Sequence, residues 1–307
     1  MRAHHDRPAT PVSAPAAVSS AARPVAEPTT RFAAGHGGVP LALRHHAGER
    51  RPFLLVHGLA SSAQLWDGVA ARLAADGHEV LAVDLRGHGR SADPGVGHDT
   101  PTAAADLAAL LEAEELIGER APVVVGQSWG GNVVVELAAR HGGPAAVALV
   151  DGGWIHLAAA YPDAEACWAD LAPPRLGDRS LDELAAALRA RHAGWPEASI
   201  AGLLACYVER DGLARPRLDR RAHRSILDSL HAIDPATRFG AIEVPALLLV
   251  AGADAAAVPP AVGRAIEGLP DVATSWYPGG HHDLHAEQPE AVAGDLTRLA
   301  ARLEERP

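Results

Sequence analysis

From residue 31 onward, short and wholly apolar runs alternate with longer segments whose apolar positions recur at helical spacing. "LALRHH" follows the Gly-Gly of "AGHGGVP" and reads as the second arm of a hairpin. "PFLLVHG" (52–58), "EVLAVDL" (79–85), "PVVVG" (122–126), "AAVALVDGG" (145–153), "PALLLVAG" (245–252) and "ATSWYPG" (273–279) read as strands that end in turn residues. Between several of them lie patterns such as "TAAADLAALLEAEEL" and "NVVVELAARH", which carry the helical period. Strands that are apolar at every position avoid water on both faces, which predicts an α/β fold with a mostly parallel, doubly wound sheet under helices on both sides.

The alternation breaks once. Between Gly152 and Val244 no strand-like run stands out, and the segment reads as helices ("SLDELAAALRARHAG", "SIAGLLACYVERDG", "RRAHRSILDSLHAI") joined by Pro/Gly-containing loops. The chain thus divides into an Ala/Pro-rich tail over 1–30, predicted to be disordered, a core of 31–151 and 245–307, and a helical cap of 152–244 inserted after the sixth strand. Ligands of such sheets bind beyond the carboxyl ends of the strands, so the cap would roof that site. Of its aromatics, Trp154, Tyr161, Trp168, Trp195 and Tyr207, the two taken as candidates for substrate contact are Trp154 and Trp168.

Charge narrows the partners. Lys and Arg total 27 against 38 Asp and Glu, a formal charge of −11, which argues against nucleic acid and anionic membrane and favours a small molecule. No window offers about 18 uninterrupted apolar residues for a membrane span, and the amino end lacks the apolar core of a signal peptide. Two cysteines, Cys167 and Cys206, are too few for a disulfide framework. A cytoplasmic protein is the expectation, and nothing in the pattern specifies an oligomer.

The chemistry concentrates at "VVVGQSWGGN" (123–132), where Ser128 stands between a buried strand and a helix. A very tight strand-to-helix turn projects the side chain at its apex above the sheet and needs small residues two places to either side; Gly126 and Gly130 occupy them. A serine hydroxyl attacks poorly near neutral pH without a base, and the base needs an orienting acid. The loop "GHHDLHAEQPEAV" offers His281, His282 and His285. No third ligand accompanies His282 and His285, which argues against a metal there.

Four stretches, "HGLASSAQLW" (57–66), "DLRGHGRSADP" (84–94), "GQSWGG" (126–131) and "GHHDLHAEQP" (280–289), make the chain resemble the α/β-hydrolase superfamily, in its capped esterase, haloperoxidase-like and C–C-hydrolase-like branch. That resemblance places the base seven residues before Pro289, at His282, with His281 as the alternative. It implies an oxyanion hole from the backbone N–H groups of Leu59 and Trp129, a structural His57, and a loop braced by Asp84, Arg86 and Ser91. The acid departs from the pattern. The usual carboxylate position falls on Ala255; Asp254 lies one residue early, and Asp151, at the end of "ALVDGG", occupies the superfamily's second location for the acid. Both remain candidates.

The implied activity is hydrolysis of a small carboxylic ester or lactone through an acyl-enzyme on Ser128, without metal or organic cofactor. A serine at the elbow argues against epoxide-hydrolase or dehalogenase chemistry, which needs a carboxylate nucleophile. C–C bond hydrolysis on the same residues is the nearest alternative, and a binding protein that has lost catalysis is the other, to which the missing carboxylate at position 255 would correspond.

Overall fold

The computed structural model describes residues 26–305. In chain order the elements of the first half are β1 (Thr29–Ala34), β2 (Pro40–His46), β3 (Arg50–Val56), α1 (Asp67–Ala75), β4 (His78–Val83), α2 (Thr100–Ala113), β5 (Val123–Gln127), α3 (Trp129–Arg140) and β6 (Ala146–Val150). There follow α4 (Ala164–Leu171), α5 (Leu181–Arg191), α6 (Glu197–Leu204), β7 (Tyr207–Arg210), β8 (Leu213–Pro216) and α7 (Arg220–Ala232). The chain then returns through β9 (Ala246–Ala251), α8 (Pro260–Gly268), β10 (Val272–Tyr277), α9 (Leu284–Glu287) and α10 (Pro289–Glu304).

Eight strands form one sheet in the order β1-β2-β4-β3-β5-β6-β9-β10, antiparallel from β1 through the β2–β4 pair and parallel from β4 onward. Neighbouring residues of one strand serve opposite cores, which is why the central strands β6 and β9 are apolar throughout. Leu54, Val56, Val124, Leu149 and Leu248 pack with α2, α3, α7 and α8; Phe53, Leu55, Val125, Val150 and Leu249 pack with α1, α9 and α10. Helix starts are marked where the chain places short acceptors: Asp99 accepts from Thr102 N–H, Asp163 from Ala166 N–H and Asp219 from Arg221 N–H, while Ser180 and Glu183 form a reciprocal capping box.

Two expectations change. The tail predicted for 1–30 ends early, since Thr29 and Thr30 already pair with His45 and Arg44 in the sheet; the remainder of that prediction, 1–25, lies outside the described residues. The segment between β6 and β9 is also not wholly helical. The helix expected over "SIAGLLACYVERDG" stops at Leu204, and β7 pairs with β8 as an antiparallel hairpin. Its two-residue loop, Asp211-Gly212, has φ of 55° and 74°, the left-handed pair that an Asp-Gly turn of type I′ adopts.

Candidate active site

Ser128 joins β5 to α3 at φ 52° and ψ −124°, a conformation that ordinary side chains avoid and that persists only when its surroundings enforce it. The enforcement is visible in the glycines. A Cβ on Gly126 would lie 2.3 Å from Gly130 O, and one on Gly152 would lie 2.2 Å from Ser128 O, so backbone passes where side chains cannot. Ser128 N–H donates to Val150 O at 3.0 Å, which ties the elbow to the end of β6.

The next residue along β6 is Asp151, a second non-glycine residue in the left-handed region, at φ 42°. Asp151 Oδ1 accepts from Ala251 N–H on β9 at 3.2 Å, and Oδ2 accepts from His282 Nδ1 at 2.7 Å. This hydrogen bond raises the His282 pKa above the ordinary imidazole value, against the opposing effect of burial. It also fixes the tautomer: with Nδ1 donating to the carboxylate, Nε2 is the nitrogen left to exchange a proton. Asp254 is placed differently. Its Oδ1 accepts from the N–H groups of Ala256 and Ala257 at 2.9 and 3.1 Å, closing its own loop.

Of the three histidines, only His282 meets a carboxylate in this way. His281 Nδ1 accepts from Asp283 N–H at 3.0 Å, and its own N–H donates to Glu287. His285 is fully buried against the Trp66 ring, 4.2 Å between centroids, and burial pushes its pKa down to about 3, so it is neutral.

The Leu59 side of the site is braced by two more neutral histidines. His57 Nδ1 donates to Gly58 O at 2.7 Å while its Nε2 accepts from Leu85 N–H at 3.0 Å. His88 repeats the arrangement with Arg86 O and Ala60 N–H. Burial lowers both pKa values. Gly58 approaches Ser128 so closely that an added Cβ would lie 3.0 Å from Ser128 Cβ, which brings Leu59 to the elbow. Trp129 opens α3, so its N–H has no acceptor within the helix. Below them Asp84 accepts from Ala63 and Arg90 N–H, Ser91 Oγ donates to Asp84 O, and Arg86 grips the buried Asp106 through two bonds of 2.5 Å.

The substrate-contact candidates part company. Trp154 is half-buried on a segment that Asn132 clamps through Ile155 O, Gly153 N–H and Ile155 N–H, directly after Asp151. The ring of Trp168, on α4, lies instead against α7, under the guanidinium groups of Arg220 and Arg224 at 4.9 and 5.4 Å and edge-on to His223.

Two contributions escaped the sequence reading. Gln127 Nε2 donates to His282 O at 3.2 Å and so holds the histidine loop to the residue before Ser128. Trp195 and His192, between α5 and α6, pack against the His281 ring with centroids 4.9 and 5.4 Å away. Gln127 occupies an unrestricted position of its motif, so periodicity carries no signal for it; Trp195 was visible only as one cap aromatic among several. Among the described residues no group of three or more His, Cys, Asp or Glu is arranged to hold a metal ion, and no helix is long and apolar enough to cross a membrane.

Comparison with known proteins gives the family and the fold. A non-heme chloroperoxidase of Streptomyces lividans is 31% identical over 263 residues, covering 80% of this chain and 90% of that one. A non-heme haloperoxidase of Rhodococcus erythropolis is 44% identical over 95 residues, and there the chain covers 34% of the relative. Among solved structures, E-2-(acetamidomethylene)succinate hydrolase superposes with a TM-score of 0.73 at 24% identity, over 88% of this chain and 98% of that one, a likeness of fold. An esterase from Rhodococcus sp. ECU1013 superposes with a TM-score of 0.65 at 26% identity, over 89% and 99% of the two chains. The model of the serine aminopeptidase S33 family matches residues 48–289. With its eight-stranded sheet, its serine elbow and that match across most of its length, the chain belongs to the serine aminopeptidase S33 family and is an α/β-fold hydrolase.

Proposed function

We propose that this hydrolase cleaves a small carboxylic ester or lactone through an acyl-enzyme on Ser128. In this reading His282 Nε2 takes the Ser128 proton as Oγ attacks the acyl carbonyl and returns it to the leaving alkoxide. Water then repeats the sequence and releases the acid. Asp151 steadies the imidazolium that forms in each transition state. The N–H groups of Leu59 and Trp129 receive the developing oxyanion, where loss of one donor commonly costs about 3 kcal/mol of barrier. Trp154 borders the substrate, and a cytoplasmic setting suits the free thiols of Cys167 and Cys206.

The observation that carries the reading is the 2.7 Å contact between His282 Nδ1 and Asp151, formed at the strand end beside the Ser128 elbow. The test is labelling with a fluorophosphonate followed by peptide mass analysis. One adduct on Ser128, absent in Ser128→Ala, is the expected result; an unlabelled protein that retains its fold would favour a binding role. Product analysis on p-nitrophenyl esters and on a β-diketone separates ester from C–C cleavage.

The chloroperoxidase relative favours one variation. Hydrogen peroxide, in place of water, would attack the same acyl-enzyme, releasing a peracid and restoring the Ser128 hydroxyl. Peracid formation from acetate ester and peroxide, lost in Ser128→Ala, is its signature.

A further inference from the structure

A cavity of about 310 Å³ lies apart from Ser128, between β2, the turn after β4, and the cap's α6 and β7. Hydrogen-bond donors without charged partners line it. Arg90 and Arg217 border the space, and neither forms an ion pair among the described residues: Arg90 Nη1 reaches Thr30 Oγ1 at 3.3 Å, and Arg217 Nε donates to Ala205 O at 2.8 Å. The third cation of the wall, Arg44, is already neutralised by a two-pronged contact with Asp67 at 2.7 and 2.6 Å. One carboxylate, Asp84, also borders the space, with its oxygens engaged by the N–H groups of Ala63 and Arg90. Gln64 and Tyr207 add an amide and a phenol.

Ser62 supplies an independent observation. It lines the cavity and is 2% exposed, and its hydroxyl has only the sulfur of Cys206 beside it, a weak acceptor whose own hydrogen goes to Gly202 O. Buried hydroxyls in folded proteins usually reach an oxygen or nitrogen partner, and an oxygen acceptor arriving from outside would replace the weak sulfur contact. Guanidinium groups free of ion pairs, a buried hydroxyl with only a weak sulfur acceptor, and apolar β2 and α6 side chains around them describe a receptor for a small organic anion. The volume sits at the lower end of the range for small-molecule sites, about 300–1,000 Å³.

We propose that this cavity is a second ligand site, separate from Ser128, for a small molecule bearing a carboxylate. The carboxylate lies against Arg90 and Arg217, whose planar forks match its two oxygens, and accepts from Ser62; the rest of the molecule covers β2 and α6. Ser62 stands three residues after Leu59, so an occupant touches the loop that follows β3 and carries Leu59 to the elbow.

Calorimetric titration of the whole protein with benzoate and with its neutral isostere benzamide tests this. Benzoate is expected to bind, with an affinity that falls as salt rises, and benzamide to bind at least about tenfold more weakly, as loss of a charged hydrogen-bond partner implies. The double variant Arg90→Gln/Arg217→Gln should weaken benzoate by at least about tenfold, with Ser62→Ala a smaller loss and Ser128→Ala none. Both arginines are exposed, and the comparison of the two probes on the unaltered protein depends on no variant. No benzoate binding at millimolar concentration, equal binding of benzamide, or unchanged binding in the double arginine variant would each overturn the proposal.

Discussion

Asp151→Asn is the substitution that most directly tests the proposed chemistry. The amide keeps the shape of the carboxylate but loses its charge, and it can donate where Asp151 only accepts, which favours the wrong imidazole tautomer. A charge-assisted hydrogen bond of this kind is worth about 1.5–3 kcal/mol in the ground state, and more once the imidazole becomes a cation. Against that, the His282 side chain is 51% exposed, so solvent screens part of the effect. The expected loss in kcat/KM is therefore about 10²- to 10³-fold, below the roughly 10⁴-fold that removal of a fully enclosed triad acid causes. Steady-state hydrolysis of p-nitrophenyl esters measures it, with Asp254→Asn as the control expected to stay within about threefold of the parent.

The pH profile carries the same argument with a definite sign. His282 must be neutral to accept the serine proton, and its pKa lies above the ordinary value because of Asp151. Activity of the parent should rise with pH through that elevated pKa, and in Asp151→Asn the rising limb should move to lower pH while the plateau falls. Stability follows the opposite course. The pair stabilises the fold fully below the unfolded-state pKa of about 6.5 and loses that contribution as pH rises through the folded-state value. Asp151→Asn should then lower the melting temperature more on the acid side of the His282 titration than on its alkaline side. An Asp151→Asn enzyme with parental kcat/KM and an unmoved profile, or an Asp254→Asn enzyme equally impaired, would refute the assignment of the acid.

Three further outcomes follow from particular contacts. Gly126→Ala would set its Cβ 2.3 Å from Gly130 O, a backbone atom that cannot swing aside, so ester hydrolysis should vanish and thermal unfolding should show a loss of at least about 2 kcal/mol. Asp106→Ala leaves the Arg86 guanidinium, 4% exposed, without its partner, and chemical denaturation should register about 3–5 kcal/mol of destabilisation, partly recovered by Arg86→Met in the same chain. Trp195→Ala removes the cap ring packed against His281; a change in KM for bulky esters with little change in melting temperature would show that the contact shapes the site rather than the fold.

The main architecture was legible because both faces of the sheet are covered: strands such as β6 and β9 are apolar at every position, and the helical period appears only between them. The β7–β8 hairpin was missed although its signal was present. "YVERDGLARP" places Asp-Gly between two short extended arms, but the apolar run of α6 leads directly into "YV" and lends the helical period to residues that leave it. Spacing gave the position of Ser128 and the three histidines, since the elbow glycines and the last loop are local features. What spacing cannot convey is direction. His281 and His282 are adjacent in sequence, yet one accepts from a backbone amide and the other meets a carboxylate delivered from a strand over a hundred residues away. The hold of Gln127 on the histidine loop is of the same kind, long-range and made by a position that its motif leaves free.

The proposed acid also explains how the position after β9 can hold alanine at 255. β6 and β9 are neighbouring parallel strands, with Val150 opposite Leu249, so their carboxyl ends emerge side by side. A carboxylate on either end starts from nearly the same place relative to the loop after β10. The sheet itself records that closeness: Asp151 N–H donates to Leu249 O at 2.8 Å, and Asp151 Oδ1 accepts from Ala251 N–H. Moving the acid by one strand therefore leaves the serine and the histidine where they are and alters only the side from which Nδ1 is approached. The alteration is conformational, since Asp151 must adopt the left-handed backbone at φ 42°, a strain of about 1–3 kcal/mol that its two backbone bonds to β9 help to hold. Freed from the acid's role, Asp254 turns its carboxylate onto the amides of Ala256 and Ala257 and serves the loop instead. If that division of labour is correct, Ala255→Asp should not rescue Asp151→Asn to parental activity unless the loop after β9 gives up its turn, and Asp254→Gly in the same chain is the change that would release it.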